Sequence, residues 1–268
     1  MVGYERVPAT RLSDVLPAQH GNPGLEMEDR VRENLVGLGL QEVINYRRTS
    51  PEREARLLPV ESQAALPDDA YIRLRNPMTP DRTVMRRSLL ASLLDTLERN
   101  ARLRDRLALF EIGPVFLPRA GQVLPDEPRR LAIVMAGQCQ EPAWDQPNPP
   151  QIDFFDLKGV IEALLEALQV RDARFEPVDQ PTFHPGKAAR LLVGSADLGV
   201  FGALHPLVQE NYDLPGAPRY SLRLRGGVAY WIERGVAYDF AGNSALAPRL
   251  VAFDRATRRA TTIATGVE

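Results

Sequence analysis

Leu107-Ala-Leu-Phe-Glu-Ile-Gly-Pro-Val-Phe-Leu117 is the stretch on which the reading of this chain turns. A continuous apolar run with aromatic and β-branched residues, closed by glycine and proline, suits a buried strand. A second apolar run, Arg129 to Ala136, follows the turn-forming clusters Pro118-Arg-Ala-Gly121 and Pro125-Asp-Glu-Pro128. Two such runs joined by turn chemistry predict an adjacent antiparallel pair.

Upstream, Ser88 stands where it can cap a helix in which Leu89, Leu90, Leu93, Leu94 and Leu97 recur at three- and four-residue spacings. Arg99, Arg102 and Arg104 crowd its negative end, and the leucine stripe predicts a buried face. Farther back, Asn22-Pro23 offers a cap and a first-turn proline for a helix from Leu25 to Leu38, closed by Gly39. Leu25, Val31, Leu35 and Leu38 lie near one face of that helix, and Glu26, Glu28 and Asp29 sit at its positive end. Gln41 to Arg47 alternates loosely and reads as a strand, as does Tyr71 to Arg75 before the Asn76-Pro77 turn. Residues 51–70 are charged and proline-punctuated, without clean periodicity.

Downstream, prolines 142, 147, 149 and 150 make Gln140 to Pro150 a loop carrying Trp144 over the surface and a hinge between two halves. Asp156 is placed to cap a third helix striped by Val160, Ile161, Leu164, Leu165 and Leu168. Leu191 to Val193 and Leu198 to Leu204 predict a hairpin turning at Gly194-Ser-Ala-Asp197. His205-Pro206 then opens a short helix through Tyr212, and Arg219 to Leu224 is a last strand. Helices between antiparallel strand pairs give an α+β class, an antiparallel sheet flanked by helices. The stretch from Gly226 to Glu268 lacks sustained periodicity, although Val228 to Ile232 and Leu250 to Phe253 can pair.

The 268 residues, 44% of them hydrophobic, can bury a real core. Thirty-three Lys and Arg against 35 Asp and Glu leave a net charge of −2, so no global field draws the chain onto nucleic acid or an anionic membrane. Any RNA contact must be local. A single cysteine, Cys139, excludes an internal disulfide and fits a cytoplasmic location. No window approaches the roughly eighteen apolar residues of a membrane helix, so no membrane association is expected.

Taken in order, Asn76-Pro-Met-Thr79, Arg86-Arg-Ser-Leu-Leu-Ala-Ser-Leu-Leu94, Leu107 to Leu117, Phe154 to Leu168, Phe183-His-Pro-Gly-Lys-Ala-Ala189 and Leu198 to Pro206 resemble the synthetase-like core of the bacterial phenylalanyl-tRNA synthetase beta subunit. The resemblance runs from about Gly3 to Leu224. It implies a degenerate class II aminoacyl-tRNA synthetase-like fold in residues 24–225. Residues 1–23 would then be the end of a preceding small domain and a linker, and residues 226–268 a divergent tail. By the family's standard the chain begins mid-protein, without recognisable oligonucleotide-binding, editing or anticodon-binding modules. The implied partner is the catalytic alpha subunit, in a heterotetramer that attaches phenylalanine to tRNA(Phe). tRNA would be met only indirectly. ATP and Mg2+ would be used by the complex, with no cofactor bound by this chain.

Amino-acid activation needs guanidinium forks that hold phosphate oxygens bidentately. Where nucleotide-activating class II enzymes carry an arginine after the second-motif strand, this chain has Leu117, and Gly199-Val-Phe-Gly-Ala-Leu-His205 lacks the arginine that ends the third motif. No catalytic and no metal-binding residue is therefore expected. By resemblance the first-motif helix meets a partner subunit, which makes Leu25, Glu28, Val31, Arg32 and Leu35 the candidate interface, although the same stripe also suits packing on the chain's own sheet. The remaining chemistry-bearing residues read as structural. Arg86 and Arg87 suit a solvated or carboxylate-paired patch, His184 and His205 turn and cap positions, Glu162 and Glu166 a solvent-facing side, and Gly186-Lys187 no phosphate loop. Two competing readings are a free-standing ATP-using ligase and an amino-acid-sensing binding module.

Overall fold

The computed structural model describes residues 21–63, 70–122 and 124–214, and the backbone of four later strands at 220–223, 231–233, 249–254 and 259–265. The predicted linker before residue 21 lies outside the described residues.

In chain order the elements are α1 (Pro23–Gly37), β1 (Gln41–Glu42), β2 (Arg48–Thr49), α2 (Pro51–Ala55), β3 (Val84–Met85), α3 (Leu90–Asn100), β4 (Arg106–Pro114) and β5 (Arg129–Gly137). They continue with α4 (Phe154–Ala167), β6 (Ala173–Pro177), β7 (Phe183–Val193), β8 (Ala196–Leu204), α5 (Pro206–Asn211), β9 (Tyr220–Arg223), β10 (Trp231–Glu233), β11 (Arg249–Asp254) and β12 (Arg259–Thr265).

A seven-stranded sheet in the order β1-β4-β5-β9-β8-β7-β6 organises the fold. Every neighbouring pair is antiparallel except β1 and β4, which run parallel with Gln41 opposite Leu109. The predicted hairpins are present, β4 on β5 and β7 on β8. Helices cover both faces, and strand alternation sends side chains into two cores. Leu107 and Leu109 of β4, Ala132, Val134 and Ala136 of β5, and Val200 and Leu204 of β8 join the α3 leucines in one cluster. Ala108 and Phe110, Leu131, Ile133 and Met135, and Phe201 and Ala203 point the other way, to Leu35 of α1 and Leu157, Ile161, Leu164 and Leu165 of α4. Each fully buried leucine or isoleucine contributes about 1.5–3 kcal/mol.

Helix ends follow their caps. The Asn22 side chain caps α1 by accepting from the Leu25 amide at 3.2 Å, whereas the cap position of α3 is Leu89 rather than the expected Ser88, whose Oγ accepts from the Leu90 amide at 3.1 Å from one residue farther out. The cap of α4 differs from expectation. Asp153 accepts from the Phe155 and Asp156 amides, while Asp156 accepts from the Asp153 amide, so Asp156 is the returning partner of a capping box.

Three further expectations are corrected. The strand read over Gln41 to Arg47 shrinks to two residues, because only Val43 goes on pairing with Phe110, and Ile44 and Tyr46 face solvent. Tyr71 to Arg75 is not a strand; Arg73 makes a single bridge to Val84. The proline-rich loop is not a hinge, since β9 joins β5 to β8 and one continuous sheet spans both sides of the loop. A short helix, α2, also forms where the sequence showed no periodicity, started by Ser50, whose Oγ accepts from the Arg53 amide. Beyond β9, Trp231 and Ile232 pair with Val251 and Leu250, as the tail patterning allowed, in a separate three-stranded sheet. Val228 to Tyr230 lie outside the described residues.

Candidate functional site

Helix α1 splits the expected interface set between two jobs. Leu35 is fully buried, and Val31 packs partly buried beside it against the α4 cluster. Glu28 is held by the Arg129 guanidinium at the start of β5. Arg32 Nε donates to both Glu42 oxygens at 3.0 and 2.8 Å, and Nη1 donates to Asp29 at 2.5 Å. The Glu42 hydrogen bond, followed by the nearby carboxylates, raises the Arg32 pKa further. These ion pairs pin α1 to β1 and β5. Outward, among the exposed charges of Glu26, Asp29, Arg30 and Glu33, stand two apolar side chains: Leu25 is 56% and Val36 54% exposed. Eleven residues apart, they fall about 20° from each other around the helix, on one stripe.

At the entry to α3, Arg86 is 2% exposed, so of the two expected alternatives the solvated patch fails and the carboxylate pairing holds. Its Nη1 donates to Glu111 Oε1 at 2.5 Å and its Nε to the Pro114 carbonyl at 3.0 Å. Glu111 Oε2 also accepts from Asn45 Nδ2 at 2.8 Å, and Asn45 Oδ1 accepts from Thr96 Oγ1 at 2.8 Å. A buried charge needs a partner and full hydrogen bonding, and this chain of contacts supplies both. Gly113 is part of it, because a Cβ there would lie 2.5 Å from Arg86 Nη2. The backbone amide of Arg87 donates to Glu54 Oε1 at 2.6 Å, while its guanidinium lies 5.4 Å from the Tyr71 ring centre. Burial first, then Glu54, push the Tyr71 hydroxyl up to about 12.

The positions where phosphate grips would be sought hold apolar groups. Leu117 exchanges two 2.9 Å backbone hydrogen bonds with Asp126 and packs against the α3 core. Val115 and Phe116 beside it are 1% and 6% exposed. Residues Val200 to Leu204 are buried in β8, and His205 caps α5 by accepting from the Leu207 amide at 3.2 Å. His184 turns its Nδ1 toward the Pro185 carbonyl. Glu162 pairs with Lys158 in solvent, and Glu166 is exposed. Among the described residues no group of three or more His, Cys, Asp or Glu is arranged to hold a metal.

A cleft of 420 Å³ between the edge segment after β1 and helix α3 escaped the sequence reading. Arg48, Arg53, Arg56, Arg82 and Arg99 line it, against Asp95 and Glu98. Arg56 binds both acids at 2.9 Å and the Asn211 carbonyl. Burial raises the Asp95 pKa although Arg53 and Arg56 oppose it. Nothing local signals such a cleft, because its arginines come from four separate segments. Its cationic surplus suits anionic side chains of another molecule.

A family profile described as "Phenylalanyl tRNA synthetase beta chain CLM domain" matches residues 7–224. The phenylalanine–tRNA ligase beta subunit of Symbiobacterium thermophilum is 40% identical over 221 residues, 80% of this chain and 24% of the relative. That of Geobacter metallireducens is 37% identical over 81% of this chain and 27% of the relative, and that of Geobacillus kaustophilus 36% identical over 84% and 27%. The chain thus spans about a quarter of the length of these curated relatives. Among solved structures, pyrrolysyl-tRNA synthetase from Desulfitobacterium hafniense superposes with a TM-score of 0.56 at 17% identity, covering 75% of this chain and 66% of that one. A second structure of that enzyme gives 0.55 at 16% identity, over 75% and 63%. At such identity the likeness establishes a shared fold.

Proposed function

Since the chain belongs to the phenylalanyl-tRNA synthetase beta chain family, we propose that it acts as a non-catalytic, degenerate copy of a class II synthetase core that pairs with a catalytic alpha subunit. In this reading residues 24–225 form the synthetase-like core, residues 1–23 lead in from a preceding small domain, and residues 226–268 are a divergent tail. The complex, cytoplasmic and heterotetrameric, uses ATP and Mg2+ to attach phenylalanine to tRNA(Phe). This chain holds no cofactor of its own and meets tRNA indirectly.

The observation that carries the proposal is Leu117. Where a guanidinium fork would neutralise phosphate, an apolar side chain closes onto the α3 core, between the buried Phe116 and the Asp126 bridge. A triphosphate there would lose its water and gain no counter-charge, which low-dielectric surroundings make prohibitive. The outward Leu25 and Val36 of α1, with Glu28 and Arg32 locked into the chain's own ion pairs, favour an apolar contact with the partner.

The test has two arms. Mixed with a bacterial alpha subunit at micromolar concentration, the chain should elute as a heterocomplex; persistence as a monomer would sink the pairing. Alone, it should show no phenylalanine-dependent pyrophosphate exchange, and exchange above background would overturn the non-catalytic reading.

A further inference from the structure

Trp144 is 97% exposed, the most solvent-accessible of the large apolar side chains among the described residues. It does not sit on a loose loop. The Ala143 amide donates to the Gln146 carbonyl and the Gln146 amide to the Ala143 carbonyl, both at 3.1 Å, so Trp144 and Asp145 form the tip of a closed turn. Gln140 and Gln146 join through their side-chain amides one step below. At the root, Gln138 bridges Gln151, the Cys139 amide donates to the Pro150 carbonyl at 2.9 Å, and the Ile152 amide donates to the Gly137 carbonyl at 2.8 Å. Arg106 Nε ties the Cys139 carbonyl to β4 at 3.2 Å. Prolines at 142, 147, 149 and 150 fix φ along the strut between root and tip.

A tryptophan held out in water on a preorganised turn costs solvation with no gain inside this chain. Because its backbone is already ordered, docking it loses little conformational entropy, and tryptophan is the residue most enriched at binding hot spots. Arg104 and Arg106 line a cleft with Glu141 and Pro142 toward the root of the hairpin, and the charge that the hairpin itself carries selects the partner. Residues 138–153 contain Glu141, Asp145 and Asp153 and no Lys or Arg. An RNA platform combines aromatics with a cationic groove; here the acids flanking the ring would repel phosphates. The complement is an apolar pocket with a cationic rim, which is a protein surface.

We propose that Trp144, presented by the hairpin between β5 and α4, is an anchor that inserts into an apolar, cation-rimmed pocket on the catalytic partner subunit. This rests on the pairing proposed above.

The test uses the complex with a bacterial alpha subunit. The chain's only other tryptophan is Trp231, so W231F isolates Trp144 fluorescence. If W231F folds poorly, 5-fluorotryptophan labelling of the unsubstituted chain, with W144F to assign the resonance, reads the same environment. On complex formation Trp144 emission should shift to the blue and its acrylamide quenching fall severalfold. W144A should weaken the complex by at least about tenfold while leaving the melting temperature of the free chain unchanged, and E141K with D145K should slow association. A complex of unaltered affinity in which Trp144 stays as quenchable as in the free chain overturns the anchor and leaves the pairing intact. Protection of Trp144 by single-stranded RNA in place of the subunit overturns the charge argument. Failure of any complex to form defeats the pairing and the anchor with it.

Discussion

Helices α1 and α3 both place apolar residues toward the core and end in opposite situations. In α3 every leucine of the stripe is sealed: Leu90, Leu93, Leu94 and Leu97 are all at 0% exposure. In α1 only Leu35 reaches that state, while Leu25 and Val36 stand more than half exposed. The buried stripe of α3 is fastened at its start by the Arg86–Glu111 pair, and α1 is fastened by half-exposed ion pairs to Glu42 and Arg129. One helix is spent wholly on the chain's own core. The other leaves part of its apolar surface exposed, and the sequence already separates them: α1 carries two leucines in fifteen residues, α3 four in eleven.

The sharpest way to break this contrast is at Glu111. Glu111→Ala leaves the Arg86 guanidinium buried without its counter-charge, and such a change costs about 3–5 kcal/mol. Chemical denaturation should show a correspondingly lower midpoint, with Glu28→Ala on the α1 side shifting it by less than about 1 kcal/mol. Equal effects would erase the distinction between the two fastenings.

A second comparison sets Leu94→Ala against Val36→Ser. The first opens a cavity in a closed core and should cost about 2–5 kcal/mol. The second should stay within about 0.5 kcal/mol in the free chain and register instead as weaker association with an alpha subunit. Two equal losses of stability would show that α1 has no spare face.

The smallest effect is a titration. Tyr71 is 6% exposed with its hydroxyl pushed up to about 12, and burial drives Tyr212, packed under Arg56, well above the ordinary tyrosine value. Both raised groups keep their protons in the folded chain after the unfolded chain begins to lose them near pH 10. Stability is therefore intact below about pH 10 and falls as pH rises toward 12, by roughly 1.4 kcal/mol per pH unit for each tyrosine. Tyr71→Phe should flatten that decline in alkaline denaturation. Tyr212→Phe should do the same and cost little at neutral pH, since the Tyr212 hydroxyl is buried without a hydrogen-bond partner. An unchanged alkaline slope in both variants would refute this account.

Much of this was legible from local pattern. Helix α3, helix α4, and the β4–β5 and β7–β8 pairs were readable because their apolar spacing and turn residues are encoded within each segment. What escaped depends on partners far along the chain. Arg86 could not be seen as buried without Glu111, 25 residues on, folding back beside it. The segment after Glu42 looked like a full strand until its one neighbour, β4, supplied pairing for only its first residues. Asp156 was a plausible cap by type and position, and only geometry shows that Asp153 holds the role. Of the interface residues, sequence periodicity grouped Leu25 with Leu35, whereas the α4 cluster captured Leu35 and left Leu25 outside.

The place of β9 in the sheet sets the order in which this polypeptide can finish folding. Strands β1, β4 and β5 can meet as soon as residue 137 is made, and β6, β7 and β8 by residue 204, yet in the sheet's hydrogen bonding the two triplets are joined through residues 220–223. During synthesis from the amino terminus, two half-sheets with bare edges must therefore wait for a late strand to enter between them. A chain stopped before Tyr220 would leave β5 and β8 exposed as templates for other chains.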